Sequence, residues 1–151
     1  MATPARRLIL QNLATTLAGI TTGNGYKTTV TTVEAVAKSF ADTASGEKPW
    51  IGIYPQREAL EYEHSGSIRV TLTCLLICHV TGITADSRAS LLNDLLDDVI
   101  GVLGVDTTRG ANAVMTKLVS TETDEGDPDA YGQGSMVINC EVVYFRTDAS
   151  S

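Results

Sequence analysis

No stretch of this 151-residue chain approaches the roughly 18 uninterrupted apolar residues that a membrane-spanning helix requires. The longest apolar stretch, Leu72 to Val80, is interrupted by Thr73 and His79, so no membrane partner is expected. A signal-peptide core is missing too: Arg6 and Arg7 are followed by polar Gln11, Asn12, Thr15 and Thr16, which predicts a protein that is not secreted. Cysteine is scarce and odd in number. Cys74, Cys78 and Cys140 give no within-chain disulfide framework, and their apolar, β-branched surroundings suit small buried thiols in a reducing cytoplasm. Cross-linking between subunits is left open. Basic residues are few and scattered, 11 Lys and Arg against 18 Asp and Glu; the net charge of −7 argues against a chain that grips a phosphate backbone. Cofactor fingerprints are also lacking. Gly23-Asn24-Gly25 follows a helix, whereas a dinucleotide loop follows a strand and opens a helix, and no P-loop lysine accompanies it.

What is present is 43% apolar residues, enough at this length for one core and one domain, residues 1–151. Ile9, Leu13, Leu17 and Ile20 form the stripe of an amphipathic helix over Pro4 to Ile20, ended by Gly19 and the Thr21–Gly25 run. Thr- and Val-rich Lys27 to Val36 predicts a strand, and aperiodic Phe40 to Lys48 predicts a loop or arm ordered by a partner. Trp50 to Tyr54, between Pro49 and Pro55, predicts a short edge strand. Gln56 to Ser67 is charged and turns at His64-Ser65-Gly66. Ile68 to Val80 alternates most clearly: Ile68, Val70, Leu72, Cys74, Leu76, Cys78 and Val80 share one face. Its second half is apolar on both faces and should be covered on both, by the chain's own helices or by a neighbouring subunit. Asp86-Ser87 would cap a second helix that stops at Gly104, with Asp94, Asp97 and Asp98 on its solvated side. Val114 to Thr121 and Met136 to Arg146 read as strands joined by the acidic connection Glu122 to Asp129. The expected fold is α+β, two helices on one face of a mostly antiparallel, roughly five-stranded mixed sheet.

Raw material for catalysis is thin. Cys78 and His79 are adjacent, but neighbours on a strand point to opposite faces and cannot form a nucleophile–base pair. His64 sits in a turn beside Glu61 and Glu63, where an exposed role is the commoner outcome. Glu122 to Asp129 has five carboxylates in eight residues yet lacks the spacing of a calcium loop, so a solvated loop is expected and no metal. Glu58, Glu61 and Glu63 lack the apolar surroundings that tune paired carboxylates. Trp50 and Tyr54 could form an exposed aromatic patch, although such rings are more often tucked into a core or an interface. These readings predict no catalytic residue, no metal site, no cofactor and no enzyme.

Taken in order, the helix ending Gly19-Ile20-Thr21-Thr22-Gly23-Asn24-Gly25-Tyr26, the Lys27–Val33 segment, Pro49-Trp50-Ile51-Gly52-Ile53, the Ile68–Val80 strand, the aspartate-rich helix and the closing Val142-Val143-Tyr144-Phe145-Arg146-Thr147 resemble the tail terminator proteins of long-tailed bacteriophages. The resemblance spans almost the whole chain and lies in the order of elements. It implies a structural virion protein, assembled in the host cytoplasm as a homohexameric ring in the tail or neck. Such a ring caps the tail tube, ends elongation and offers a docking surface to the head-side connector or neck protein, with the sheath protein a further partner. DNA would pass through without specific binding, and Glu122, Asp124, Glu125, Asp127 and Asp129 would form an acidic bore or rim that repels phosphates. Arg57, Glu58, Glu61 and Glu63 lie in the charged Arg57–Ser65 segment that departs from the family's pattern and are candidates for an interface arm. The alternatives are another head–tail connector, of the completion or stopper kind, a ligand-binding regulatory module, or, more remotely, a small hydrolase drawing on Cys78, His79 and the acidic loop.

Overall fold

A strand whose alternate side chains are apolar needs a layer to cover that face, and the arrangement of the chain follows from this requirement. The structure is a computed structural model that describes residues 4–63, 66–82, 84–124 and 133–147. Its elements are α1 (Ala5–Ala18), β1 (Thr32–Glu34), β2 (Trp50–Tyr62), β3 (Ser67–Thr81), α2 (Ala85–Val105), β4 (Met115–Asp124) and β5 (Gln133–Thr147). The five strands form one sheet in the order β1-β2-β3-β5-β4, antiparallel except for β1 against β2. Both helices cover the face defined by Val70, Leu72, Cys74, Leu76, Cys78 and Val80, all of them buried. Ile9, Leu13 and Leu17 supply α1's share of this core, and Leu92, Leu95 and Val99 that of α2. The expected α+β class and two-helix layer are what the chain adopts.

Local details depart from the sequence-based expectation for physical reasons. Of Lys27–Val36 only Thr32–Glu34 is a strand, because the Lys27 and Thr28 amides donate to Asp98 and the Val30 amide to the Ile20 carbonyl. Asp98 is therefore not on a solvated face; it is 4% exposed. Asp97 does face water and pairs with Lys27 at 2.8 Å. The Phe40–Lys48 stretch holds two short 3-10 turns, Phe40–Asp42 and Ser45–Glu47, and is ordered by the chain itself, Lys48 Nζ donating to the Thr43 carbonyl at 2.7 Å.

Strand β2 does not stop at Pro55 but runs through it to Tyr62. Its partner β1 ends opposite Gly52, so the proline lies where that side of β2 is unpaired among the described residues, and a bulge between Pro55 and Arg57 absorbs the irregularity. Helix α2 is capped by Thr84, in a capping box with Ser87, rather than by Asp86-Ser87. It passes through Gly104 and ends at Val105, with Asp106 as its C-cap. Strand β4 reaches Asp124 and so includes the start of the acidic connection.

Candidate functional site

The end of the sheet away from the β2–β3 hairpin holds the most concentrated polar chemistry. Trp50 and His79 are opposite one another on β2 and β3, on the face away from the helices, and their rings stack with centroids 5.2 Å apart. His79 Nε2 lies 2.7 Å from the Lys38 carbonyl, an obligate acceptor, so Nε2 carries the proton and Nδ1 accepts from the Ser135 hydroxyl at 2.8 Å. Trp50 Nε1 donates to Glu34, which Lys38 also meets at 3.0 Å. The cluster straps the Ala35–Pro49 segment over the sheet, so Trp50 is buried while Tyr54, four residues on, remains 43% exposed.

Ser135, His79 and a backbone carbonyl form a line of hydrogen bonds that resembles an acyl-transfer relay, which makes its surroundings informative. Ser135 lies between β3 and β4, opposite His79 and Asp124, so the nearby amides belong to sheet ladders and do not converge on a point where an oxyanion would sit. Burial pushes His79 below its ordinary value, weakening it as a base. Cys78 lies on the opposite face, and burial pushes Cys74, Cys78 and Cys140 up to about 12, so none supplies a thiolate near neutral pH. Among the described residues no group of three or more His, Cys, Asp or Glu side chains is placed to hold a metal ion.

The predicted arm residues divide between two faces. Arg57 and Glu61 point away from the helices, in register with Thr73 and Arg69, and Glu63 is exposed beyond the strand's end. Glu58 is not a free arm carboxylate: it faces inward, 3.1 Å from Arg6 and 3.1 Å from the Tyr144 hydroxyl, joining β2 to α1 and β5. Glu122 is exposed near the end of β4 and Asp124 closes that strand. Glu125, Asp127, Asp129 and His64 lie outside the described residues.

Sequence reasoning did not single out Leu60 and Tyr62. Both lie on the helix-side face of β2, beyond the reach of the helices, and are 50% and 70% exposed. It also missed a groove of about 310 Å³ between α2 and β4, lined by Ile100, Leu103, Gly104, Thr116, Lys117 and Leu118. Ile100 is 52% exposed there. The signal for the first pair was the alternation of Leu60 and Tyr62 with Glu61 and Glu63, obscured by the charge count of that stretch.

Arg109 was missed as well. It is fully buried in a turn with φ of +51°, and its Nη2 donates to the carbonyls of Leu103 and Asp106 at the C-terminal end of α2, where a cation is favoured. The chain is thus a two-layer α+β protein whose outer sheet edges are unpaired among the described residues. Its sequence matches no protein-family model and no curated protein.

Proposed function

We propose that the chain is a structural, ring-forming protein of the phage tail, a terminator that adds to the last ring of the tail tube, stops elongation and presents a docking surface to the head-side connector. The observation that carries this reading is the pair of edges left unpaired among the described residues on opposite sides of one sheet, β4 at one side and the Tyr54–Tyr62 part of β2 at the other. Different surfaces at opposite ends of a protomer are what head-to-tail association needs, and rotation of such contacts closes a ring. The apolar side chains exposed beside those edges support it further, since monomers rarely leave such groups clustered and uncovered. The net charge of −7 fits a ring that DNA traverses without adhering.

Mixing the purified protein with tail-tube protein tests the proposal. Tubes of limited length with extra density at one end are expected; tube growth unaltered by the protein refutes it.

A further inference from the structure

We infer that the ring is closed by strand addition: the arm of β2 in one copy pairs antiparallel with the free edge of β4 in the next, Leu60 lying opposite Leu118 and Tyr62 opposite Thr116. The inference rests on the ring-forming reading above and specifies its contact surface.

Strand direction comes first. Along the order β2-β3-β5-β4 every neighbouring pair is antiparallel, so β4 runs opposite to β2. A rotation about an axis roughly along the strands preserves direction, so β4 of one copy meets β2 of the next antiparallel. Both edges are open among the described residues: β1 covers only Trp50–Gly52 of β2, and β4 pairs only with β5.

Side-chain parity then selects the register. Leu60 and Tyr62 share the helix-side face, being opposite Val70 and Ile68; Thr116 and Leu118 share it too, being opposite Val142 and Cys140. Residues paired across antiparallel strands project to the same side, so the sheet continues from copy to copy with its helix layer on one face. Leu60 opposite Leu118 then enters the groove formed with Ile100 and Leu103, which at about 310 Å³ has room for it and part of the Tyr62 ring.

The opposite face supplies the charge match. In this register Glu61 lies directly across from Lys117, whose side chain is 53% exposed and meets Glu141 of its own chain at 3.5 Å. Sliding by two residues one way sets the Glu58 carboxylate, already engaged by Arg6 and Tyr144, against Leu118. Sliding the other way carries Leu60 past Leu118 to the bulge between Leu118 and Ser120, where side-chain parity breaks, and outside the groove. A two-fold β4–β4 pairing would leave Leu60 and Tyr62 exposed.

Full-length Leu60→Cys and Leu118→Cys variants, mixed and mildly oxidised, are expected to give covalent dimers and no higher species. The double variant should give a ladder ending at the ring. The three native thiols are buried and do not compete. Because Leu118 is half-buried, exchange of the exposed pair provides an independent arm: Glu61→Lys or Lys117→Glu alone weakens association about fivefold, and the two together restore it.

Assembly in which Leu60→Cys and Leu118→Cys fail to cross-link, or in which Leu118→Cys cross-links to itself, overturns this interface and leaves the terminator reading standing. A wild-type chain that light scattering finds monomeric at high concentration, with and without tube protein, overturns both.

Discussion

Asp98→Ala is expected to be among the most damaging single changes outside the apolar core. The Asp98 carboxylate accepts from the Lys27 amide at 3.0 Å, the Thr28 amide at 2.8 Å and the Thr28 hydroxyl at 2.5 Å. These amides belong to a segment without a ladder, so the carboxylate takes the place of a neighbouring strand and ties the α1–β1 connection to α2. A hydrogen bond to a charged acceptor contributes about 1.5–3 kcal/mol net, and orphaning a buried donor costs about 1–3 kcal/mol. Water can reach the Lys27 amide after truncation but not the buried Thr28 amide, so the loss is about 3–4 kcal/mol, a large part of a total near 5–15 kcal/mol. At roughly 2–4 °C per kcal/mol for a chain of this size, Tm falls by about 6–16 °C.

Urea unfolding followed by circular dichroism should show the loss in the midpoint, with the slope unchanged. Thr28→Val removes only the hydroxyl bond and should cost about 1 kcal/mol alone, and much less once Asp98 is gone, because both act through one contact. A loss below about 1 kcal/mol for Asp98→Ala would refute this account of the connection.

Three further outcomes follow from the same geometry. His79 is held below its ordinary value by burial, so the unfolded chain binds the proton more tightly; His79's contribution to stability is fully present above pH 6.5 and is lost as pH falls through the folded-state value. Denaturant midpoints from pH 7.5 to 5 should decline, and His79→Gln should flatten the decline. Gly52→Ala would place a Cβ 2.3 Å from the Val36 carbonyl and 2.3 Å from the Trp50 ring; a cost of about 1–3 kcal/mol in the same unfolding assay is expected, and a neutral substitution would contradict the tight strap. Cys74, Cys78 and Cys140, with pKa values near 12, should resist a thiol reagent at pH 8 in the native protein and react completely in denaturant; fast labelling without denaturant would contradict their burial.

The parts of the fold legible in the sequence are those where one period dominates. Ile9, Leu13 and Leu17 on α1 and the alternation of β3 are each decided by burial of a single face, and the structure buries those residues fully. What escaped depended on distant partners. Thr28 to Val30 looks like a strand by propensity, but its amides go to Asp98 and Ile20. Pro55 looks like a boundary, and is one only when both edges of a strand are paired. Asp98 differs from Asp97 by one position on the helix, yet that rotation moves it from water to a buried contact. The His79–Ser135 contact joins residues 56 apart, a separation that local pattern does not reach.

Several positions that offend local rules lie at two sites, while exposed Val36 and Phe145 lie elsewhere. A strand end should not leave Leu60 and Tyr62 in water, an edge strand should not expose Val119 at a bulge, and a helix should not carry Ile100 and Val105 outward with Gly101 and Gly104 between them. A mid-helix glycine costs about 1 kcal/mol relative to alanine, and among the described residues no atom approaches Gly101 or Gly104 closely enough to need the space. All the α2 and β4 offenders flank the groove or its free edge, and the other two sit on the arm. Those beside the two sheet edges lie on opposite sides of one sheet, and they are the positions that the proposed strand addition between copies would cover.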